Sequence, residues 1–550
     1  MSVGDARGSM RILYLDCDSL RPDHLGCYGY HRNTSPTIDE LAESGRVFTN
    51  YYASDVPCLP SRTALFSSRF GIHSGVVNHG GTNADPRPAG EDREFATATT
   101  RLTFPTALSV EGYRTCLVSS FPQRHGAHHV TDGFGEWRDT GGSGTERADV
   151  VYDRAENWLD DHATEDDWYL HVNFWDPHTP YDTPREYGNP FADDPAPEFP
   201  DETTIAEQYA GYGPHSAHDV HHGYLTGDGP ADLERTPDEI TDREDFQRWV
   251  DGYDVGIRYM DDYIAKLLAR LEEAGVREET LVVVTADHGE NLGELNVYGD
   301  HQTADDRTCR VPLIVDGPDV ESGEDDSFHY NVDFGPTLVE FLAREDEDFG
   351  DGGLARADNG DGDDDGHDGE ESPPTAAVFD AWDGRSFAGA LTGEGDEGRD
   401  YLVLSQGAWA CQRAVRWDEY LLVRTYHDGL KQFAPVELYD LDADPHETTD
   451  LARERPELVR EGLAMLEDWT SARMRETVTD DAGGSSAGPQ SLEDPLWRVL
   501  AEGGPYHTNG HEETYAERLR ETGREAHAED VEKREGVVER TVAEHLTGED

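Results

Sequence analysis

Lysine is almost missing from this chain: of its 45 basic residues only Lys266, Lys431 and Lys533 are lysines, set against 117 Asp and Glu. A net charge of −72 repels nucleic acid and anionic membrane surfaces, which excludes both as partners. An acid-rich, lysine-poor surface suits concentrated salt, where counterions screen its self-repulsion, so the composition reads as that of a halophile. No apolar run approaches the roughly 18 residues of a membrane-spanning helix. The first apolar stretch, Ile12 to Leu15, is too short for the core of a secretory signal, so a soluble, cytoplasmic protein is expected. The six cysteines (Cys17, Cys27, Cys58, Cys116, Cys309, Cys411) show neither paired metal-ligand spacing nor a disulfide framework; apart from Cys58 they read as buried thiols. No internal repeat is visible. With 35% hydrophobic residues the 550-residue chain has material for a sizeable core and, at ~150 residues each, roughly three or four units or fewer large ones.

Helical and strand patterns alternate along the first half, which predicts an α/β fold. Strands are expected at Arg11–Leu15, Arg46–Tyr52, Arg114–Val118, Trp168–Phe174 and Leu281–Thr285. Helices are expected from Pro36 to Ser44, capped by Ser35, and over 104–111, 150–160 and 253–274, the last stopped by Gly275. Residues 182–242 are rich in Pro, Gly, Asp and His and read as an insertion over the sheet's edge or mouth. Its His215, His218, His221 and His222 lack acidic or cysteine partners at ligand spacing and read as solvated loop residues. Residues 344–376 are dominated by Asp, Glu and Gly and read as a disordered acidic loop. The domain assignment is therefore a catalytic unit over 10–395, a small unit over 396–478 with an antiparallel sheet and a helix 456–474, and a polar helical tail over 479–550.

Two strand ends carry ligand-type residues: Asp16, Asp18 and Ser19 after the first, Asp287 and His288 after Leu281–Thr285. Parallel pairing of these strands would bring both sets to one mouth, where a divalent cation would hold them together. Cys58 stands just before a helix start, where amide dipoles stabilise anions and Arg62 adds a positive charge.

Cys58-Leu59-Pro60-Ser61-Arg62 resembles the sulfatase signature Cys-x-Pro-Ser-Arg, in which the cysteine is oxidised to formylglycine. Further segments follow in the family's order. Arg11 to Gly29, with Asp18 to Gly26 within it, resembles its amino-terminal metal loop, Asn173 to Tyr181 the segment carrying a catalytic histidine, and Thr285 to Glu290 its second metal loop. Arg310 to Ile314, Asp383 to Phe387 and Glu437 to Leu441 complete the series, so the resemblance spans about residues 10–470.

The resemblance implies an alkaline-phosphatase-like sandwich, with a large mixed, mostly parallel central sheet and a smaller carboxy-terminal α+β unit. It implies a sulfatase acting on a sulfate ester or sulfamate of a small molecule or carbohydrate, matured by a formylglycine-generating or equivalent enzyme. By the same resemblance Cys58, as the hydrated aldehyde, would supply the nucleophile, Arg62 would stabilise it and His178 would protonate the leaving oxygen. Asp18, Asp287 and His288 would hold one divalent cation. Calcium is the family's expectation; the histidine ligand leaves manganese and magnesium open. The family's second adjacent Asp is replaced here by Ser19, with Asp16 as an alternative ligand. Two sulfate-gripping lysines are absent, and Arg124, His125 or His301 stand where their charges are needed. His73 reads as structural. Two other readings keep the same residues: a phosphonate monoester hydrolase or phosphodiesterase, and a non-catalytic anion-binding homologue in which Cys58 stays a thiol.

Overall fold

The computed structural model describes residues 10–86, 103–142, 144, 146–221, 235–345, 382–395, 398–479, 493–534, 536, 538 and 540–548. Most of the acidic segment, 346–376, and His222 of the insertion lie outside the described residues.

The central sheet contains β1 (Arg11–Cys17), β2 (Arg46–Phe48), β3 (Arg114–Val118), β4 (Glu136–Arg138), β5 (Trp168–Phe174), β6 (Thr280–Thr285), β7 (Leu313–Asp316) and β8 (Gly323–Asp325). Their spatial order is β8-β2-β7-β6-β1-β5-β3-β4, and only β7 runs against the rest. Every residue of β1, β5 and β6 is buried. Strands covered on both faces need no alternation of polar residues, and they appear in sequence as short apolar runs. β1 pairs in parallel register with β5 on one side and β6 on the other, Arg11 facing both Trp168 and Thr280. The loops after these three strands therefore leave the sheet at one level.

A second sheet combines β9 (Tyr401–Gln406), β10 (Cys411–Trp417), β11 (Tyr420–His427) and β12 (Val436–Asp440) as antiparallel neighbours. A two-residue strand, Asp55–Val56, joins its edge in parallel through Ser405 and Gln406. The helix Pro456–Thr479 packs on this sheet. The chain just before Cys58 is thus fixed by a sheet built from residues 340 or more positions later.

Three expectations change. The stretch 46–52 is not one strand: β2 enters the central sheet, whereas Tyr51–Tyr52 pairs with His329–Tyr330, because the chain crosses between layers at Thr49 and Asn50. The helix expected to begin at 253 begins at Arg243; Asp242 caps it by accepting from the amides of Glu244 and Asp245, and Gly275 ends it at φ 74° as expected. Ser35 precedes the helix Pro36–Ser44 without capping it, its hydroxyl donating to Asp39 instead.

Candidate active site

The loops after β1, β5 and β6 carry Asp18, His178 and Asp287-His288 to one place, and the helix Cys58–Ser67 starts there with all ten of its residues buried. Cys58 Sγ lies 3.0 Å from His288 Nε2. One ligand-type atom each from Asp18, Cys58, Asp287 and His288 falls within 4.8 Å of the others. Ser61 does not cap this helix; its hydroxyl donates to the Asp287 carbonyl and ties the helix to the loop after β6.

Arg62 reaches back from the second turn of the helix. Its Nε donates to Asp16 Oδ2 at 2.8 Å, and its Nη1 lies 2.6 Å from Asp287 Oδ2 and 3.1 Å from Asp18 Oδ2. Three carboxylates and one guanidinium, each at most 3% exposed, leave two negative charges uncompensated. Buried charge in that excess is costly. Accordingly, burial and the neighbouring Asp18 and Asp16 push the Asp287 carboxyl well up against the pull of Arg62. Asp18 is pushed up by burial too, yet Arg62 and then His178, His288 and His301 hold it below the ordinary carboxylate range. A divalent cation fits this donor set, since it would balance the two charges, and buried Asp18 Oδ2 has only its ion-pair contact with Arg62 and no hydrogen bond.

Asp16 is not among the clustered ligand atoms. Arg62 and His171, whose Nε2 lies 3.3 Å away, already engage its Oδ2. Ser19, at φ 62°, gives its amide to Asp287 Oδ1 at 3.3 Å and its hydroxyl to Asp18 Oδ1 at 3.1 Å, and so braces both carboxylates.

Further imidazoles stand beside the cluster. The His301 ring centre lies 4.0 Å from that of His288 and 5.6 Å from that of His178. Burial, followed by His288, holds His301 well below the usual histidine value. Burial, followed by Arg124 and Arg62, lowers His125 to about 3. His301 Nδ1, His125 Nε2 and Arg62 Nη2 are buried without hydrogen-bond partners. Arg124 leans over Trp175 at 5.1 Å and donates to the Gly144 carbonyl.

His73 lies elsewhere and bridges Asp383 at 2.7 Å and the Arg473 carbonyl at 2.9 Å, as a structural residue would. Of the insertion's histidines, His215 departs from its reading: it is 5% exposed and its Nε2 sits 2.8 Å from Asp300 Oδ2. The acid partner comes from 85 positions away and no local spacing announces it. Sequence reading also passes over His79, whose Nε2 faces the Leu59 amide at 3.5 Å; a lone histidine before two glycines carries no motif.

The family model described as Sulfatase matches residues 11–343. The chain is 24% identical over 403 residues to an N-acetylglucosamine-6-O-sulfatase of Bacteroides thetaiotaomicron, covering 61% of this chain and 68% of that protein. Human iduronate 2-sulfatase is 25% identical over 340 residues, 56% of this chain and 59% of the relative. Among solved structures, one in complex with its substrate D-glucosamine-2-N,6-O-disulfate superposes with a TM-score of 0.62 at 19% identity, over 85% of this chain and 98% of that one. A phosphonate monoester hydrolase from Silicibacter pomeroyi gives 0.58 at 18% identity, over 85% and 95%. These two likenesses establish the fold. The match of the family model across three fifths of the chain goes further, and the protein belongs to the sulfatase family of sulfuric ester hydrolases.

Proposed function

We propose that the protein hydrolyses a sulfate ester of a carbohydrate, using formylglycine formed from Cys58 and one divalent cation held by Asp18, Asp287 and His288, with Ser19 bracing the carboxylates. The observation that carries this reading is the contact of Cys58 Sγ with His288 inside a buried cluster that is two positive charges short of balance. The bound cation would supply Lewis acidity toward the sulfate oxygens and lower the proton affinity of a neighbouring hydroxyl. Cys58 as a thiol is a poor nucleophile, since burial and then Asp18 and Asp287 push it well up. The hydrated aldehyde at that position offers two hydroxyls. One attacks sulfur and the alcohol leaves, taking a proton from His178; loss of the proton from the second hydroxyl expels sulfate and restores the aldehyde. Arg62 holds the diol's charge, and the nitrogens of His301, His125 and Arg62, buried without hydrogen-bond partners, are the groups assigned to the incoming oxyanion.

The carbohydrate part of the reading rests on relatives and structural neighbours named for sulfated sugars. Phosphonate monoester hydrolysis remains the second reading, favoured by the neighbour of that activity and by the absence of a lysine from the segments 119–125 and 298–301. Mass spectrometry of the Cys58 peptide from native cells is expected to show the aldehyde, and Cys58→Ala or removal of the cation by chelation to abolish aryl sulfate hydrolysis. An unmodified thiol in active enzyme, or activity surviving Cys58→Ala, refutes the nucleophile. Faster turnover of a phosphonate monoester than of any sulfate ester selects the second reading.

A further inference from the structure

The polar tail returns to the nucleophile helix. Asp494 anchors its start: it caps the helix Pro495–Ala501 by accepting from Leu496 N and meets Arg413 through both oxygens, at 2.6 and 2.8 Å. Beyond that helix Gly504 sits at φ +122°, and a Cβ there would stand 2.9 Å from His427 Nε2, so the backbone passes where a side chain cannot. Tyr506 N then donates to Asn78 Oδ1, His507 N to the Ala408 carbonyl, and Thr508 Oγ1 to the Trp409 carbonyl. The His507 ring stacks on Trp409 with centres 4.4 Å apart and planes 17° from parallel.

This grip presents His507 Nε2 to His79 Nδ1 at 2.9 Å, between residues 428 positions apart. On its other side His79 Nε2 faces the Leu59 amide, and its ring lies 4.7 Å from that of His125. The Leu59 N–H only donates, so His79 Nε2 accepts there, and the ring proton sits on Nδ1 and is given to His507. Arg62 Nη2 and His301 Nδ1, on residues 2% and 5% exposed, are buried in the same site without partners.

We propose that His79 is a further substrate-binding residue for the sulfate group and that His507 is its positioning residue, so that the C-terminal tail completes the active site. The inference rests on the sulfatase reading above. When an oxyanion takes the donation of the Leu59 amide, His79 Nε2 loses its donor. Burial and then His125 and His507 hold the ring well below the usual histidine value, so it is the anion's charge that draws one proton from solvent to Nε2, which donates it to the oxyanion while Nδ1–H stays on His507. A ring held at Nδ1 cannot swing away from the anion, which is what His507 adds.

The test uses the full-length, cation-loaded protein, with inorganic sulfate titrated by calorimetry and aryl sulfate hydrolysis measured in parallel. His507→Ala is expected to weaken sulfate binding and raise KM about tenfold with kcat little changed, the loss of one charge-assisted hydrogen bond. His507→Gln, whose amide oxygen accepts from His79 Nδ1, restores most of the affinity. His79→Ala matches His507→Ala, and the double variant is no weaker than His79→Ala, because one residue acts through the other. Unchanged sulfate affinity in a His507→Ala protein with a wild-type near-ultraviolet circular dichroism spectrum overturns the proposal, as do additive losses in the double variant. If the wild-type protein neither binds sulfate nor cleaves sulfate esters, the sulfatase reading itself fails and this inference falls with it.

Discussion

His178 shows how a backbone contact sets a side chain's chemistry. Its Nδ1 donates to the Thr179 carbonyl at 2.5 Å, which leaves Nε2 as the atom able to hold a proton toward the site. Its ring stands near His301, and the charge of Asp18 pulls its proton affinity up against the larger effect of burial. A leaving-group acid matters in proportion to the basicity of the departing oxygen. For His178→Ala, kcat is expected to fall roughly 10²- to 10⁴-fold on a sugar sulfate but only a few-fold on nitrophenyl sulfate, whose phenolate leaves without help. Steady-state kinetics on the two substrates checks this, and an equal loss on both would remove the acid role. The positions of Cys58, Arg62, Asp18, Asp287 and His288 were legible because each lies in a short motif whose spacing carries chemistry. The partners of Asp16, Arg62 and His171, come from other elements, and no local spacing announces them.

Among elements, the strands were the most legible. β3 and β5 have the bounds their sequences predict, since a buried parallel strand shows as a short run rich in apolar and β-branched residues between polar turns. The strand Asp55–Val56 was illegible: two residues carry no periodicity, and only the late-arriving β9 makes them a strand. The start of the tail has the same character. Arg413 on β10 and Asp494 before the helix Pro495–Ala501 form a bidentate pair with side chains 4% and 5% exposed. Asp494→Ala would leave a buried guanidinium unpaired and remove a helix cap, so a loss of about 3–5 kcal/mol is expected, mostly from the orphaned charge. Urea unfolding measures it, and a loss below about 1 kcal/mol would mean that Arg413 finds another partner. Truncating the exposed partner Glu532 of Arg520, whose side chains are 35% and 45% exposed, provides the contrast and is expected to change stability little.

For the molecule as a whole the dominant quantity is its charge of −72. Like charges on a folded surface repel over about 10 Å at 0.1 M salt and about 3 Å at 1 M. The thermal midpoint is therefore expected to rise steadily as potassium chloride is raised from about 0.1 to 2 M, as screening shortens that repulsion. Differential scanning calorimetry follows the change, and a midpoint indifferent to salt would contradict the reading of the surface as adapted to brine. Among the described residues no helix is long and apolar enough to cross a membrane.

Composition, element order and the candidate site residues follow from the chain's own pattern, because burial, turn chemistry and motif spacing act over a few residues. The convergence of the loops after β1, β5 and β6 needed one assumption beyond the sequence, that the strands are parallel neighbours in register, and the sheet supplies it. Only the folded molecule could pair His215 with Asp300, or bring His507 across 428 positions to His79. Those contacts join segments that share no local signal. Their partners are set by which surfaces meet in the folded molecule, and that is a property of the assembled whole.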